Sequence, residues 1–505
     1  MVARCLLTIL LVALWPLVHF ANYNREQLDG ADYLFLGEVL AVTIACCFAL
    51  FIIGDLLTRR GRRVALVAAL GVALIIFFNY HGIYKGIELL FSFLRIPRGH
   101  NYLYVLLGVG IPALCLFVVK NDVVITILLV FGLIANVMPA AGLLTHAARS
   151  FGLNGAASTK KNETIFRAKF RPNVYYIIAD AYARNDVLQK IHGYDNSRFI
   201  EALKKRGFYT AEKAYSNYPI TFMSIASTLE MNYLATEESE GFASRGIFYD
   251  AIRGDNLVVQ RFRAHGYRYA HLGAWSGSRC GGQEDKCLSG DRYLRTKVLQ
   301  PTPIGYFINL GPFGTYFRDK STFADVMHVK DRLDDLYEME PFFLFAHTMP
   351  PHPPGSFGND CRQNVDPGIA DWNDKAGYIR DVECVNSQFI ALVDSIIERD
   401  ADAIVILQGD HGTSFGVDHS MRIERWPFDA FHQRFGILLA VRVRHACREK
   451  LYPSLSPVNI FRVILPCLTD ETSELLPDIS YVSAYEKHEQ YGQVYRYRSA
   501  EKQAQ

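Results

Sequence analysis

Asp410 and His411 stand side by side in Gln408-Gly409-Asp410-His411-Gly412, directly after the apolar run Ala403 to Leu407. A carboxylate offers hard oxygen and an imidazole offers nitrogen, a mixture suited to zinc or manganese. Gly412 lets the backbone turn sharply beside a bound ion. Two other segments end in a similar way. The aromatic and β-branched run from Asn173 to Ala179 closes on Asp180, and the run Phe342 to Ala346 closes on His347-Thr348-Met349-Pro350-Pro351-His352-Pro353. The second of these sets two imidazoles in a loop that its prolines stiffen. Three such endings, spread from Asn173 to Gly412, are less probable by accident than any one of them.

The elements that must hold these residues can be read from the same runs. Ala403 to Leu407 has the length and β-branched content of a strand covered on both faces, as parallel strands are. The C-terminal ends of such strands are where open α/β sheets place ligands. Strand-like runs (Val174 to Ile178, Phe342 to Ala346, Ala403 to Leu407, Phe435 to Val441) alternate with helical stretches at Asn196 to Arg206 and Tyr378 to Arg399. That alternation predicts a mainly parallel sheet sandwiched by helices. Val382, Val385, Phe389, Leu392, Val393 and Ile396 recur at helical spacing and read as core. The run Ser224 to Leu229 suggests a helix starting after Thr221, with its N-terminal amides available to an anion.

The set resembles the alkaline phosphatase superfamily, in its sulfatase-like branch of membrane-anchored phosphoethanolamine and phosphoglycerol transferases. The resemblance implies an alkaline-phosphatase-like α/β/α domain and a divalent metal, zinc or manganese. It makes Asp180 the first metal ligand, where the phosphoethanolamine transferases usually carry glutamate, so the transferred group stays open. Ser216 to Ser227 resembles the family's Thr-x-x-Ser run, which makes Thr221 the nucleophile and a ligand of the same ion. Asp410 and His411 match the late ligand pair, His347 and His352 the family's histidine-bearing loop, and His419 falls near a position where relatives place another histidine ligand. His432 is given no metal role.

A threonine hydroxyl is a poor nucleophile at neutral pH until a cation lowers its pKa. His347 and His352 could bind a second ion, protonate the leaving oxygen or hold the substrate head group. The implied reaction moves a phospho-head-group from a phospholipid donor to Thr221 and then to a cell-surface glycan or lipid acceptor. The alternative is a membrane-anchored phosphodiesterase, phosphatase or sulfatase-like hydrolase that uses water. A non-catalytic envelope scaffold is a third reading, against which the joint presence of Thr221, Asp180, Asp410 and His411 speaks. No Cys-x-Pro-x-Arg or Ser-x-Pro-x-Arg setting occurs, which disfavours sulfate ester hydrolysis.

Residues 1–146 read as a transmembrane domain of about five helices, 147–170 as a polar connector and 171–505 as the catalytic domain, since a bilayer core takes about 20 apolar residues per helix. The runs are Cys5 to Phe20, Tyr33 to Leu57, Val64 to Phe78, Tyr102 to Val119 and Val123 to Leu144. The first is short enough for a signal-peptide core, but no small-residue cleavage site follows Phe20, which favours a retained anchor. His81 to Arg98 mixes apolar and basic residues and suits the membrane interface. Arg59, Arg60, Arg62 and Arg63 place their loop in the cytoplasm, so five spans put the C-terminal domain outside, on the periplasmic face of a bacterial inner membrane. Six cysteines lie in the C-terminal part, an even number that suits an oxidising compartment. Proximity pairs Cys280 with Cys287, Cys361 with Cys384 and Cys447 with Cys467. The formal net charge of +2 argues against a nucleic-acid partner. The Cys-bearing stretch Gly277 to Gly290 could shape an acceptor pocket but reads first as a disulfide-pinned surface loop, and the tail from Glu486 as a terminal element with a frayed end.

Overall fold

The computed structural model describes residues 1–26, 28, 30–58, 62–93, 109–154, 171–237, 242, 245–273, 275–289, 302, 325–353, 355–362, 373–469, 471–485 and 488–497. Arg59, Arg60, most of the connector and part of the interfacial stretch lie outside them. The chain divides into two compact units, Met1–Lys161 with Asp291–Asp319, and Asn162–Gly290 with Lys320–Gln505.

The first unit is helical: α1 (Val2–Asn24), α2 (Gly30–Leu57), α3 (Arg63–Phe93), α4 (Ile111–Val118) and α5 (Val123–Asn154). Among the described residues, three helical stretches are long and apolar enough to cross a membrane: Val2–Asn24, Asp32–Leu57 and Val123–Ala148. The apolar stretch of α3, Arg63–Asn79, is shorter, and the helix continues without a break to Phe93. Small residues let α1 and α5 approach closely. A Cβ added at Gly132 would stand 2.8 Å from the Leu11 side chain, and Asn136 donates to the Leu11 carbonyl at 2.9 Å.

In the second unit a seven-stranded sheet has the order β2-β7-β6-β1-β5-β3-β4, with β1 Val174–Ala179, β2 Phe208–Thr210, β3 Arg268–Leu272, β4 Lys286–Cys287, β5 Phe342–Thr348, β6 Ile404–Gln408 and β7 Leu439–Arg442. The central strands β6, β1, β5 and β3 run parallel, and β7 runs antiparallel to both β6 and β2. The strand expected over Phe435 to Val441 therefore starts later, because Phe435 ends the helix Phe428–Phe435 and Gly436 donates back to the His432 carbonyl at 3.0 Å.

Alternation of side chains along β1 builds two cores at once. Val174, Tyr176 and Ile178 face one core with the helix Thr221–Leu229 and the helix Ile460–Leu468. Tyr175, Ile177 and Ala179 face the other, with the helix Lys375–Arg399. Burial on both faces explains why these strands read as continuous apolar runs. A small ribbon, β8 (Tyr481–Ser483) with β9 (Val494–Arg496), ends the unit. Cys280–Cys287 and Cys361–Cys384 are disulfide-bonded. The third expected pair remains as two thiols, Cys447 and Cys467.

Candidate metal centre and nucleophile

Parallel register puts the chemistry at one edge of the sheet. Ile178 of β1 is level with His347 of β5 and with Gln408 of β6, so Asp180, His347 and the Asp410-His411 pair leave three adjacent strands on the same side. Two overlapping triads result, Asp180-His347-Asp410 and Asp180-His352-His411, in each of which the ligand atoms lie within 4.8 Å of one another. Asp180 is the hub. Its Oδ2 is 3.2 Å from His347 Nε2, and its Oδ1 is 3.6 Å from His411 Nε2 and 3.9 Å from His352 Nε2. Asp410 Oδ2 is 3.4 Å from His411 Nε2.

The backbone around these ligands is tightly constrained. A Cβ at Gly409 would lie 2.3 Å from the Tyr182 carbonyl, and one at Gly412 2.2 Å from the Gln433 carbonyl, so glycine is required on either side of the pair. Ala181 adopts φ 59°, which costs a non-glycine residue on the order of 1 kcal/mol. That conformation aims its N–H at Asp410 Oδ1, 3.0 Å away.

Hydrogen bonds fix which atoms face the centre. His411 Nδ1 lies 2.9 Å from the Gly412 carbonyl and must carry the proton, which leaves Nε2 as a lone-pair donor. Burial, and then the charge of Arg434, hold the His411 imidazole well below its ordinary pKa and therefore neutral. His347 Nδ1 is 2.9 Å from Ser278 Oγ, and the Ser278 carbonyl is 2.7 Å from His271 Nε2. Thr221 Oγ1 stands 3.1 Å from His411 Nε2 at the first residue of its helix. Ser224, one turn on, donates to the Asp410 carbonyl at 2.6 Å. The Arg434 guanidinium joins the two loops, donating to the Pro219 carbonyl at 2.8 Å and to that of Gly412 at 2.9 Å.

The donor set fits a divalent cation on a structural ground. Asp180 Oδ1 and Asp410 Oδ2 are buried and have no hydrogen-bond partner, although buried carboxylate oxygens are normally satisfied. Burial, followed by the charge of Asp180, pushes the Asp410 carboxyl up to about 7. A cation between the two would remove both costs.

Asp180, Thr221, His347, His352, Asp410 and His411 are thus brought together. His419 is not: it belongs to neither triad, its ring lies 4.6 Å from that of Tyr485, and burial lowers its pKa to about 4. It lines a neighbouring cavity of about 450 Å³ with His352, Asn373, Arg434 and Tyr485. The turn after Gly416 carries it into the wall of that cavity, apart from the two triads. Ser278 and Arg434 escape sequence reasoning, whereas Ser224 is the serine of the Thr-x-x-Ser run. The loop read as superficial is instead folded inward at Ser278, where a Cβ on Gly273 would collide with the Ser278 carbonyl.

Residues 172–444 match the family model described as Sulfatase, more than half of the chain. The chain belongs to the sulfatase family. This sulfatase-family protein is similar to lipooligosaccharide phosphoethanolamine transferase A from Neisseria meningitidis, an integral membrane protein (14% identity over 91% of this chain and 95% of that one, TM-score 0.42). It is similar also to the phosphonate monoester hydrolase of Agrobacterium radiobacter (16%, 63% and 82%, TM-score 0.41). A third similar structure is the zinc complex of the periplasmic domain of EptC from Escherichia coli (11%, 64% and 93%, TM-score 0.39). None of these likenesses assigns a reaction. No curated protein matches the chain.

Proposed function

We propose that this protein transfers a phospho-head-group, of the phosphoethanolamine or phosphoglycerol type, from a phospholipid to a glycan or lipid of the cell envelope through a phospho-Thr221 intermediate. One observation carries the reading: a threonine hydroxyl at a helix N-terminus lies 3.1 Å from a neutral imidazole nitrogen and beside two orphaned carboxylate oxygens. Asp180, Asp410, His411 and Thr221 would hold a zinc or manganese ion, which when bound lowers the pKa of a coordinated hydroxyl and neutralises phosphoryl charge.

In the first half-reaction Thr221 Oγ1 bonds to phosphorus, the bond from phosphorus to the diacylglycerol oxygen breaks, and that oxygen takes up a proton. The Thr221 hydroxyl donates to the unprotonated Nε2 of His411 at 3.1 Å, and the first-turn amides of the helix face the developing charge. His352, partly exposed at the cavity rim, is placed to protonate the leaving oxygen; His347, held by Ser278, orients Asp180. In the second half-reaction an acceptor hydroxyl or phosphate oxygen displaces Thr221.

With apolar helices in its support, we take residues 1–146 as the membrane domain, 147–170 as connector and 171–505 as the catalytic domain on the periplasmic side of a bacterial inner membrane. Two disulfides in the second unit support an oxidising location. Intact-mass measurement of the full chain after incubation with phosphatidylethanolamine or phosphatidylglycerol tests the reading. A head-group phosphate adduct is expected on the wild type and not on Thr221→Ala, with release of diacylglycerol. Diacylglycerol release with free head-group phosphate and no modified acceptor would make the enzyme a hydrolase; absence of any adduct from both lipids would sink the proposal.

A further inference from the structure

The helix Phe428–Phe435 serves two places. Arg434 reaches the loops of Thr221 and Gly412, whereas Phe428 and Phe431 form part of the wall of a separate cavity of about 740 Å³, a size in the range of roughly 300–1,000 Å³ common for small-ligand sites. The wall is aromatic and fixed. The rings of Phe431 and Tyr497 stack with centroids 3.7 Å apart and planes 4° apart. Tyr215 lies 5.1 Å from Phe431, and its hydroxyl is 2.9 Å from His432 Nδ1. Phe428 is half exposed at the rim.

The polar part of the lining carries a net positive charge. Lys213 and Arg496 line the cavity, and among the described residues neither side chain pairs with a carboxylate. Asp478, the acid in the lining, is occupied by the Tyr452 hydroxyl at 2.9 Å, the Ser454 hydroxyl at 3.1 Å and the Asn459 amide at 3.1 Å. The Ser480 hydroxyl donates to the Ser216 carbonyl at 2.7 Å, which leaves its oxygen free to accept.

We infer that this cavity binds a segment of an acidic oligosaccharide. Phe431 is itself stacked between Phe435 and Tyr497, so the faces of Phe428 and Tyr497 pack against the C–H faces of sugar rings, Lys213 and Arg496 take a carboxylate or phosphate, and the serine hydroxyls meet ring hydroxyls. A bilayer surface fits less well, because the hydroxyls and stacked rings line a recess rather than a protruding apolar patch. The site does not depend on the proposed transfer chemistry. It borders the same chain segment, since Ser216, next to Tyr215, donates to the Phe435 carbonyl at 2.8 Å on the way to Thr221.

Calorimetric titration of the full-length protein in detergent tests this with three probes: hexagalacturonate, maltohexaose and phosphatidylglycerol vesicles. Saturable binding of hexagalacturonate is expected, on the order of tenfold weaker for Lys213→Glu with Arg496→Glu, several-fold weaker for Phe428→Ala, and restored by the charge-conserving pair Lys213→Arg with Arg496→Lys. Thr221→Ala binds like the wild type, which separates this result from failure of the transferase reading. No saturable binding of hexagalacturonate, equal binding of maltohexaose, or indifference to the charge reversal would each overturn the inference.

Discussion

The two ends of the central strands gather polar groups in opposite ways. At the N-terminal ends, Asn173 ties β1 to its neighbours. Its amide donates to Glu340 at 2.8 Å and to Asp400 at 2.9 Å, while its oxygen accepts from the Phe342 N–H at 3.2 Å. All three of these Asn173 side-chain contacts close on partners. At the C-terminal ends, Asp180 and Asp410 are buried with one oxygen apiece left unsatisfied, and histidine nitrogens point between them. A polar cluster that satisfies itself stabilises a fold; one that is buried and incomplete is arranged for something it does not contain. The contrast marks the functional end of the sheet without reference to any relative.

The sharpest way to break that contrast is to remove the incomplete cluster. Thr221→Ala and Asp410→Ala should each lower kcat by on the order of a thousandfold or more, since the first deletes the proposed nucleophile and the second a proposed metal ligand. Metal analysis separates them: Thr221→Ala removes only a neutral hydroxyl from the donor set and retains bound metal, whereas Asp410→Ala removes a carboxylate and loses it. Unchanged metal content in Asp410→Ala would remove that carboxylate from the centre.

The unsatisfied carboxylates also set a pH dependence of stability. A carboxyl raised to about 7 in the folded state binds its proton more tightly there than in the unfolded chain, so its ionisation opposes folding. The metal-free protein should therefore lose stability as pH rises from about 4, the unfolded carboxylate value, towards 7. Asp180 works in the other direction. Burial alone would raise it, but His352 and the His347 hydrogen bond outweigh burial and hold it below the usual range, so its contribution is lost only at lower pH. Asp381, raised to about 6 by burial, adds to the same slope as Asp410. Melting temperatures measured from pH 4 to 8 in chelator and in excess zinc should diverge as pH increases, and Asp410→Asn should flatten part of the chelated curve. Parallel curves would mean that no cation bridges the two acids.

A smaller effect is expected one contact further out. Ser278→Ala frees the His347 ring, and loss of a group that orients a metal-site histidine commonly costs about 10–100-fold in affinity or activity. Here the loss should fall on kcat and metal affinity, with KM little changed. An effect confined to KM would instead place Ser278 against the substrate.

What the sequence revealed and what it hid follow from the same geometry. Asp180, His347 and Asp410 were legible because each ends an apolar run whose length and β-branching declare a buried strand, and parallel register does the rest. Thr221 was legible only through resemblance; alone it reads as a helix start, which it also is. Ser278 was hidden because its contact with His347 arises from β3 lying beside β5 and from a turn that Gly273 allows, none of which leaves a periodic trace. Arg434 was hidden for a related reason, since a buried arginine late in a short helix has no spacing signal. The antiparallel course of β7 was equally invisible, because a strand covered on both faces carries the same apolar pattern in either direction.

The smallest effect belongs at the satisfied end, and it completes the comparison. Asn173→Ala removes the ties to Glu340 and Asp400 and leaves the Phe342 N–H without its acceptor. A buried donor left unpaired costs about 1–3 kcal/mol, so the melting temperature of the second unit should fall by a few degrees. The register of β1 against β5 and β6 is held by the strand ladders themselves, so the triads should keep their geometry and kcat should stay within about twofold, as for substitutions remote from a site's contacts. Thermal melts and steady-state rates on the same preparation check both halves. A large fall in kcat with intact melting behaviour would show that the two ends of the sheet are coupled, and that unsatisfied groups alone do not delimit the functional edge.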